Sequence, residues 1–156
     1  MFAKRLWLGI GFFCLLSAFH HPHARADAGA AYRKYKGQLL ASDLAMPLDV
    51  PELHRRRKTT LVRPQGSELW HTFFVGFLSK KPNESPIFLV FYDVTSGREY
   101  RGSKEINVDP NSTIVMTDVD VTEEDGVKAG KTYEVVLGVK SGGKETVFAK
   151  AKITFK

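Results

Sequence analysis

The densest run of chemically active side chains is HRRRK, from His54 to Lys58. An arginine guanidinium donates two hydrogen bonds at once to a phosphate or a carboxylate, so this run could bind an anionic ligand or an acidic partner. A short cationic run is also common in a solvated segment that protects the edge of a sheet. The sequence therefore predicts an anion site at Arg55, Arg56, Arg57 and Lys58, and leaves the purely structural role open.

Five carboxylates lie close together in TDVDVTEEDG, residues 117–126. Calcium prefers oxygen ligands of this kind, but its twelve-residue loop needs them at alternating loop positions with a closing glutamate. The spacing here differs, because Asp118 and Asp120 share one face of an extended segment and the other three follow in a turn. We therefore expect a solvent-facing strand end and turn, and no metal site.

Groups that could catalyse a reaction are sparse. Beyond the first 26 residues the histidines are His54 and His71, and the sequence has no Gly-x-Ser-x-Gly motif, phosphate-binding loop or metal-binding histidine pair. Carboxylates could act in pairs only across a cleft, which the sequence does not predict. We expect a protein that is not an enzyme and has no cofactor, with a small hydrolase as the remaining alternative.

Two strongly apolar segments offer a candidate contact surface. Trp70, Phe74, Val90 and Tyr92 fall on one face of two consecutive predicted strands. Strands that are apolar on both faces are either covered twice or show one face to a partner. An aromatic face suits a protein partner or a sugar ring. The prediction is a partner surface at Trp70, Phe74 and Tyr92, and the alternative is burial beneath residues 38–62.

The first 26 residues have the composition of a secretory signal peptide. Two cations precede the apolar run LWLGIGFFCLLSAF, and HHPHARADA follows it. The run is shorter than the roughly 20 residues that span a bilayer, and Ala24 and Ala26 provide small residues for cleavage. We expect cleavage after Ala26, with Ala28 as the alternative. The protein would then be secreted or periplasmic, and its mature chain would have no transmembrane segment.

The single cysteine, Cys14, lies in the predicted signal peptide. The mature chain would therefore form no disulfide, thiol nucleophile or zinc–thiolate site. Its formal net charge would fall from +6 to +3, because Lys4, Arg5 and Arg25 leave with the signal. The remaining positive charge lies in residues 27–67. An exported chain of this kind is not expected to bind nucleic acid.

The rest of the chain alternates apolar and polar residues with the period of two that a strand requires. The clearest segments are residues 133–139 and 147–155, which the glycine-containing turn 141–144 joins as a hairpin. Similar segments recur about every ten residues, and no helical periodicity follows the signal peptide. We predict a single all-β antiparallel sandwich of seven to eight strands over residues 37–156, after a flexible polar lead-in at 27–36.

The segment GVKAGKTYEVVL, residues 126–137, places a glycine turn before Tyr133. It resembles the start of the penultimate strand in fibronectin type III and other immunoglobulin-like domains. The resemblance is specific over residues 126–156 and only architectural over residues 58–125. It implies an immunoglobulin-like sandwich in which Tyr133 and Gly130 form a structural corner, with the tyrosine hydroxyl bound to nearby backbone. The chain departs from antibody domains, since it has no cysteine pair there and Trp70 lies on an early strand.

The chain as a whole is similar to small exported bacterial proteins that carry a signal peptide and one such domain. This likeness implies location and fold, but no activity. We therefore expect an exported, non-catalytic binding domain of the cell envelope or exterior, whose partner is another envelope or extracellular protein. The alternative is a domain that binds an anionic lipid head group or polysaccharide through the basic run from Arg55 to Lys58.

Overall fold

The computed structural model describes residues 22–156, so most of the predicted signal peptide lies outside the described residues. In chain order the elements are α1 (Pro22–Tyr35), β1 (Leu39–Ser42), α2 (Val50–Arg56), β2 (Thr60–Leu61), β3 (Leu69–Phe77), β4 (Ile87–Asp93), β5 (Glu99–Ile106), β6 (Ile114–Thr122), β7 (Lys131–Ser141) and β8 (Lys144–Phe155). A 3₁₀ turn, Glu123–Asp125, joins β6 to β7. None of the helices in the described residues is both long enough and apolar enough to span a bilayer.

The strands form two sheets. One sheet has three strands in the order β1-β3-β6, and the other has five in the order β2-β8-β7-β4-β5. All pairings between named strands are antiparallel except that of β2 with β8, which is parallel. The prediction of an all-β sandwich of seven to eight strands is confirmed in part: the described residues form eight strands in two sheets, together with two helices. The hairpin of β7 and β8 turns through Gly142 and Gly143 at positive φ.

The main core lies between the two sheets. β4 alternates strictly, so that Ile87, Leu89 and Phe91 point inward and are fully buried. Trp70 and Phe74 point into the same core from β3, where each is 1 % exposed. The predicted partner surface is therefore wrong for these two side chains. The indole Nε1 of Trp70 donates to the backbone carbonyl of Lys156 at 2.8 Å, which satisfies its polar group inside the sandwich.

A second apolar cluster covers the outer face of the three-stranded sheet. Ala31 and Tyr35 of α1 are buried against Phe77 and Val75 of β3, and Leu53 of α2 completes the cluster. The rings of Tyr35 and Phe77 lie 5.5 Å apart. β3 is apolar on both faces because the chain covers it twice, once with the other sheet and once with its own helices.

Two local predictions are corrected here. Residues 27–36 were expected to form a flexible lead-in, but residues up to Tyr35 belong to α1, where Ala31 and Tyr35 are one helical turn apart and share the buried face. No helical periodicity was found after the signal peptide, but the chain also forms α2, where Pro51 lies in the first turn and its missing N–H costs nothing. Tertiary burial stabilises both short helices.

Candidate functional site

The predicted anion site lies on and just after α2. Two of its cations, Arg55 and Arg56, bind one carboxylate: Arg55 Nη2 and Arg56 Nε donate to Glu52 Oε2 at 2.5 and 2.9 Å. Their hydrogen bonds, that of Arg55 first, lower the pKa of Glu52 to about 2. Arg56 also donates to the carbonyl of Ala45 at 2.6 Å. Because these guanidinium groups already have partners, an incoming anion must compete with Glu52 for them.

The two remaining cations of the run point elsewhere. Lys58 forms an ion pair with Asp43, a residue that precedes α2 in the chain. Arg57 ends the helix as its C-cap, and its side chain is exposed. The structure therefore keeps the four predicted residues adjacent, but it pairs three of them with carboxylates of the chain itself.

The predicted corner at Tyr133 is a structural contact between a buried side chain and the backbone. Tyr133 is fully buried, and its hydroxyl accepts from the N–H of Lys128 at 2.8 Å and reaches the carbonyl of Gly126 at 3.5 Å. Gly130 has a φ of 82°, a left-handed conformation that a residue with a side chain adopts only with strain. The hydroxyl thus ties the turn before β7 to the start of that strand, as the resemblance implies.

The acidic stretch at the end of β6 is also structural in part. Asp125 accepts hydrogen bonds from the N–H and the hydroxyl of Thr122, at 2.7 and 3.1 Å, and pairs with Lys104 at 3.1 Å. Asp118 and Asp120 are exposed on β6. Across residues 27–156, whose side chains the structure describes, the acidic and histidine side chains form no cluster of three that could hold a metal ion.

The outer face of the five-stranded sheet carries an open aromatic groove. The alternation that buries Ile87, Leu89 and Phe91 turns the intervening residues of β4 outward. These residues and their neighbours on β5, β7 and β8 enclose about 210 Å³. The aromatic groove is defined here by Phe88, Val90, Tyr92, Tyr100, Ser103 and Glu145. No helix of the described chain covers it, in contrast to the face that α1 and α2 cover.

Tyr92 and Tyr100 form the aromatic part of this groove. Their ring centroids lie 6.1 Å apart at 69°, an edge-to-face arrangement. Tyr92 is almost wholly buried, whereas Tyr100 is 56 % exposed. The hydroxyl of Tyr100 lies 3.3 Å from that of Ser103, so both hydroxyls are held at the rim of the groove. The groove can therefore present an exposed ring and hydroxyl donors on a rigid floor.

Ion pairs fix the wall beside Tyr92. The guanidinium of Arg98 lies 3.5 Å from the centroid of the Tyr92 ring and donates to Glu134 at 2.8 Å and to Glu145 at 2.9 Å. Lys150 pairs with Glu134 from the other side at 3.2 Å. Together these contacts hold two carboxylates, two cations and an aromatic ring in one geometry.

The same contacts set the protonation states of the wall. The hydrogen bond from Arg98 lowers the pKa of Glu134, although burial acts in the opposite direction. The pKa of Arg98 is raised, chiefly by Glu134. Burial, and then the hydrogen bond that its hydroxyl donates to Glu145, raises the pKa of Tyr92. Tyr92 therefore stays a neutral donor, and Glu134 stays a carboxylate beside Arg98 and Lys150.

Of the predicted partner surface, only Tyr92 contributes to this groove. Two residues of the site were missed, the half-buried Phe88 and the exposed Tyr100. The signal that could have found Phe88 is the period of β4: once Leu89 and Phe91 are assigned to the core, Phe88, Val90 and Tyr92 must face outward. For Tyr100 the sequence gives no such signal, because a single aromatic residue on a polar strand such as EYRGSKEI is ordinary.

Comparisons of the chain with protein families, curated proteins and solved structures found no match.

Proposed function

We propose that this protein is an exported, non-catalytic binding domain that contacts a protein of the cell envelope or exterior through the aromatic groove. The signal-peptide composition of residues 1–26 supports export to an envelope or extracellular location. The groove supplies apolar contact area and fixed hydroxyls.

The fold of the domain is, in this proposal, immunoglobulin-like. Support comes from the strand orders: β1-β3-β6 corresponds to strands A, B and E of such domains, and β4, β7 and β8 correspond to C, F and G. The hydroxyl of Tyr133 at the start of β7 is bound to backbone upstream, as in a tyrosine corner. Domains of this architecture serve many unrelated functions, so the function must be argued from the groove itself.

One observation carries the functional proposal. The chain covers the outer face of its small sheet with its own helices but leaves an aromatic groove open on the outer face of the large sheet. Exposed aromatic residues that are held rigidly, with polar groups around them, are typical of the centres of protein interfaces. The ion pairs of Arg98 with Glu134 and Glu145 hold the wall of the groove before any partner arrives.

The alternative, binding of an anionic ligand through Arg55–Lys58, predicts a different response to salt. Contacts between exposed charges weaken as ionic strength rises, whereas apolar contacts change little. Retention of the partner at high salt would therefore favour the groove, and its loss would favour the basic run. The contacts of Glu52 with Arg55 and Arg56 reduce what the basic run can offer to a ligand.

The proposal is tested with the purified protein immobilised and exposed to an envelope extract of its host. Tyr100→Ala should remove the captured protein from the eluate, because it deletes the exposed ring of the groove. Val62→Ala is the matched control: Val62 is 67 % exposed but lies outside the groove. Both variants should keep the wild-type melting curve. Equal capture by wild type and Tyr100→Ala would contradict the proposal, and so would loss of capture in a triple Arg55, Arg56 and Arg57 to Ser variant alone.

A further inference from the structure

β6 forms one edge of the three-stranded sheet. It pairs with β3 along its whole length, from Ile114 opposite Phe77 to Thr122 opposite Leu69, without a register shift. Its sequence, IVMTDVDVT, is rich in β-branched residues and has no proline, lysine or arginine. A long, regular edge strand presents a row of backbone donors and acceptors to which another chain can pair.

The hydrogen-bond pattern shows which backbone groups of β6 face this edge. The N–H of Leu78 donates to the carbonyl of Thr113 at 2.8 Å, so these opposed residues form a hydrogen-bonded pair. Bonded and non-bonded pairs alternate along an antiparallel ladder. The even-numbered residues from 114 to 122 therefore lie in non-bonded pairs with β3, and their N–H and C=O groups point to the open edge.

Side chains satisfy the two ends of the edge. The hydroxyl of Ser112 accepts from the N–H of Ile114 at 3.1 Å and donates to its carbonyl at 2.6 Å. The carboxylate of Asp125 accepts from the N–H of Thr122 at 2.7 Å. These two contacts agree with the alternation, because both residues belong to the set that faces outward.

The middle of the edge is different. Within the described chain, the N–H groups of Met116, Asp118 and Asp120 have no hydrogen-bond acceptor, and the carbonyl of Asp118 receives only a long contact of 3.4 Å from the hydroxyl of Thr117. Three donors and three acceptors thus stand at alternate positions of one strand. This spacing is the one that an added strand requires.

The edge of the other sheet is protected against such pairing. The ladder of β5 shifts register opposite Phe91 and Tyr92, which interrupts its hydrogen bonds. β5 also carries Glu99, Arg101 and Lys104, and exposed charges of both signs disfavour pairing with a passing strand. β6 has neither a register shift nor a cation, so the two edges are not equivalent.

The outer face beside the open edge indicates what would bind. Met116 is 54 % exposed and lines an apolar groove with Ala45, Met46 and Phe73. Two residues further along, the exposed carboxylate of Asp118 has no cation within ion-pair distance in the described residues. An added strand alternates its side chains in the same way, so an apolar residue beside Met116 and a basic residue two positions away would complement the edge.

A second copy of this chain complements the edge poorly. In an antiparallel pairing of two β6 strands centred on the middle residue, Asp118 of one copy would lie opposite Asp118 of the other. Like charges directly opposite each other on a sheet are destabilising. The carboxylate at Asp118 therefore favours a different, basic segment over self-association.

We propose that the open edge of β6 binds an extended segment of a partner protein as an added strand, with an apolar residue beside Met116 and a lysine or arginine beside Asp118. This surface lies on the opposite sheet from the aromatic groove and does not depend on it. Main-chain hydrogen bonds at Met116, Asp118 and Asp120 give the contact its affinity, and the two outward side chains give it specificity.

The probe is a short synthetic peptide with blocked ends, in which threonine alternates with leucine and lysine. It is added to the ¹⁵N-labelled protein, whose own N-terminus is first verified by mass spectrometry. The amide signals of Met116, Asp118 and Asp120 should shift and become protected from hydrogen exchange. Replacing the lysines of the peptide with glutamate should weaken binding by about tenfold, since favourable cross-strand charge pairs become unfavourable.

Two variants separate the main-chain contact from the side-chain contact. Met116→Pro removes one outward N–H while leaving the ladder with β3 intact, and it should abolish peptide binding. Met116→Ala keeps that N–H and should only weaken binding. If Met116→Pro does not fold, the same main-chain contact is tested by changing the peptide. With N-methyl groups on alternate amides, the peptide loses the N–H donors that pair with β6 and should not bind.

Three results would overturn the proposal. The first is equal binding of the lysine and glutamate peptides, and the second is protection that appears on β5 instead of β6. The third is protection of the Met116, Asp118 and Asp120 amides from hydrogen exchange in the free protein. Protection that falls on dilution would mean that a second copy occupies the edge. Protection that does not change on dilution would mean that the chain itself covers the edge.

Discussion

The two sheets of this protein treat their outer faces in opposite ways. The three-stranded sheet is covered by α1 and α2, whose apolar side chains form a second buried cluster with Val75 and Phe77. The five-stranded sheet leaves Tyr100 and the aromatic groove exposed and holds them with ion pairs around Arg98. The first face therefore contributes stability, whereas the second contributes little stability and is available for contact.

The largest expected effect comes from the covered face. Tyr35→Ala should lower the free energy of unfolding by about 3–5 kcal/mol, because it leaves a cavity where a fully buried ring packs on Phe77. Tyr100→Ala on the open face should change it by no more than about 0.5 kcal/mol. Urea denaturation of both variants measures the difference. Similar losses in the two variants would mean that the faces do not differ as described.

A smaller effect is expected at the corner before β7. Tyr133→Phe keeps the buried ring but leaves the N–H of Lys128 without its acceptor, so unfolding should become easier by about 1–2 kcal/mol. The groove lies elsewhere on the sheet, and partner capture should therefore persist. Thermal melts and the capture assay check the two halves of this prediction; an unchanged melting temperature would show that the corner contact does not stabilise the fold.

Acid should act on the end of β4, where Asp93 is buried. The carboxylate accepts from Lys131 Nζ at 2.7 Å and from the N–H of Thr95 at 3.0 Å, and these bonds hold its pKa below the usual value of 3.8. A carboxyl group whose pKa is lower in the folded than in the unfolded protein stabilises the fold at pH values above its unfolded pKa. This stabilisation is lost as the pH falls through the folded pKa. Asp93→Asn should therefore be less stable than wild type at neutral pH, and the difference should shrink on acidification.

The control for that experiment is a matched pair of denaturation series at about pH 6 and about pH 2.5. A gap between Asp93→Asn and wild type that stays constant over this range would contradict the role given to Asp93. Glu134 also has a lowered pKa and remains in both proteins, so its contribution to acid sensitivity cancels in the difference.

The strands were predictable because their signal is local. The alternation of β7 and β8 and the glycines between them are set by residues that are neighbours in sequence, so their prediction as a hairpin is confirmed. The helix at α1 was missed because its stability depends on the distant Phe77. Its apolar face is narrow, since only Ala31 and Tyr35 are fully buried there, with the partly buried Tyr32 beside them.

The candidate site was less predictable than the fold. Trp70 and Tyr92 both lie on apolar strands, and nothing local distinguishes the face of β3 that meets the other sheet from the face of β4 that remains open. That choice depends on which face the helices and the opposite sheet cover, which is a property of the assembled domain. For the same reason the partners of Arg55 and Arg56 in the helix, and the outward N–H groups of β6, became visible only in the structure.

We propose that the open outer face of the five-stranded sheet is the surface that contacts the partner protein. Hydroxyl-radical footprinting of the protein, free and in a host envelope extract, tests it directly, because tyrosine, phenylalanine and methionine label readily when exposed. Labelling of Tyr100 and Phe88 should fall in the extract, while labelling of Val62 should stay constant. Unchanged labelling of Tyr100 alongside protection of another surface would contradict it.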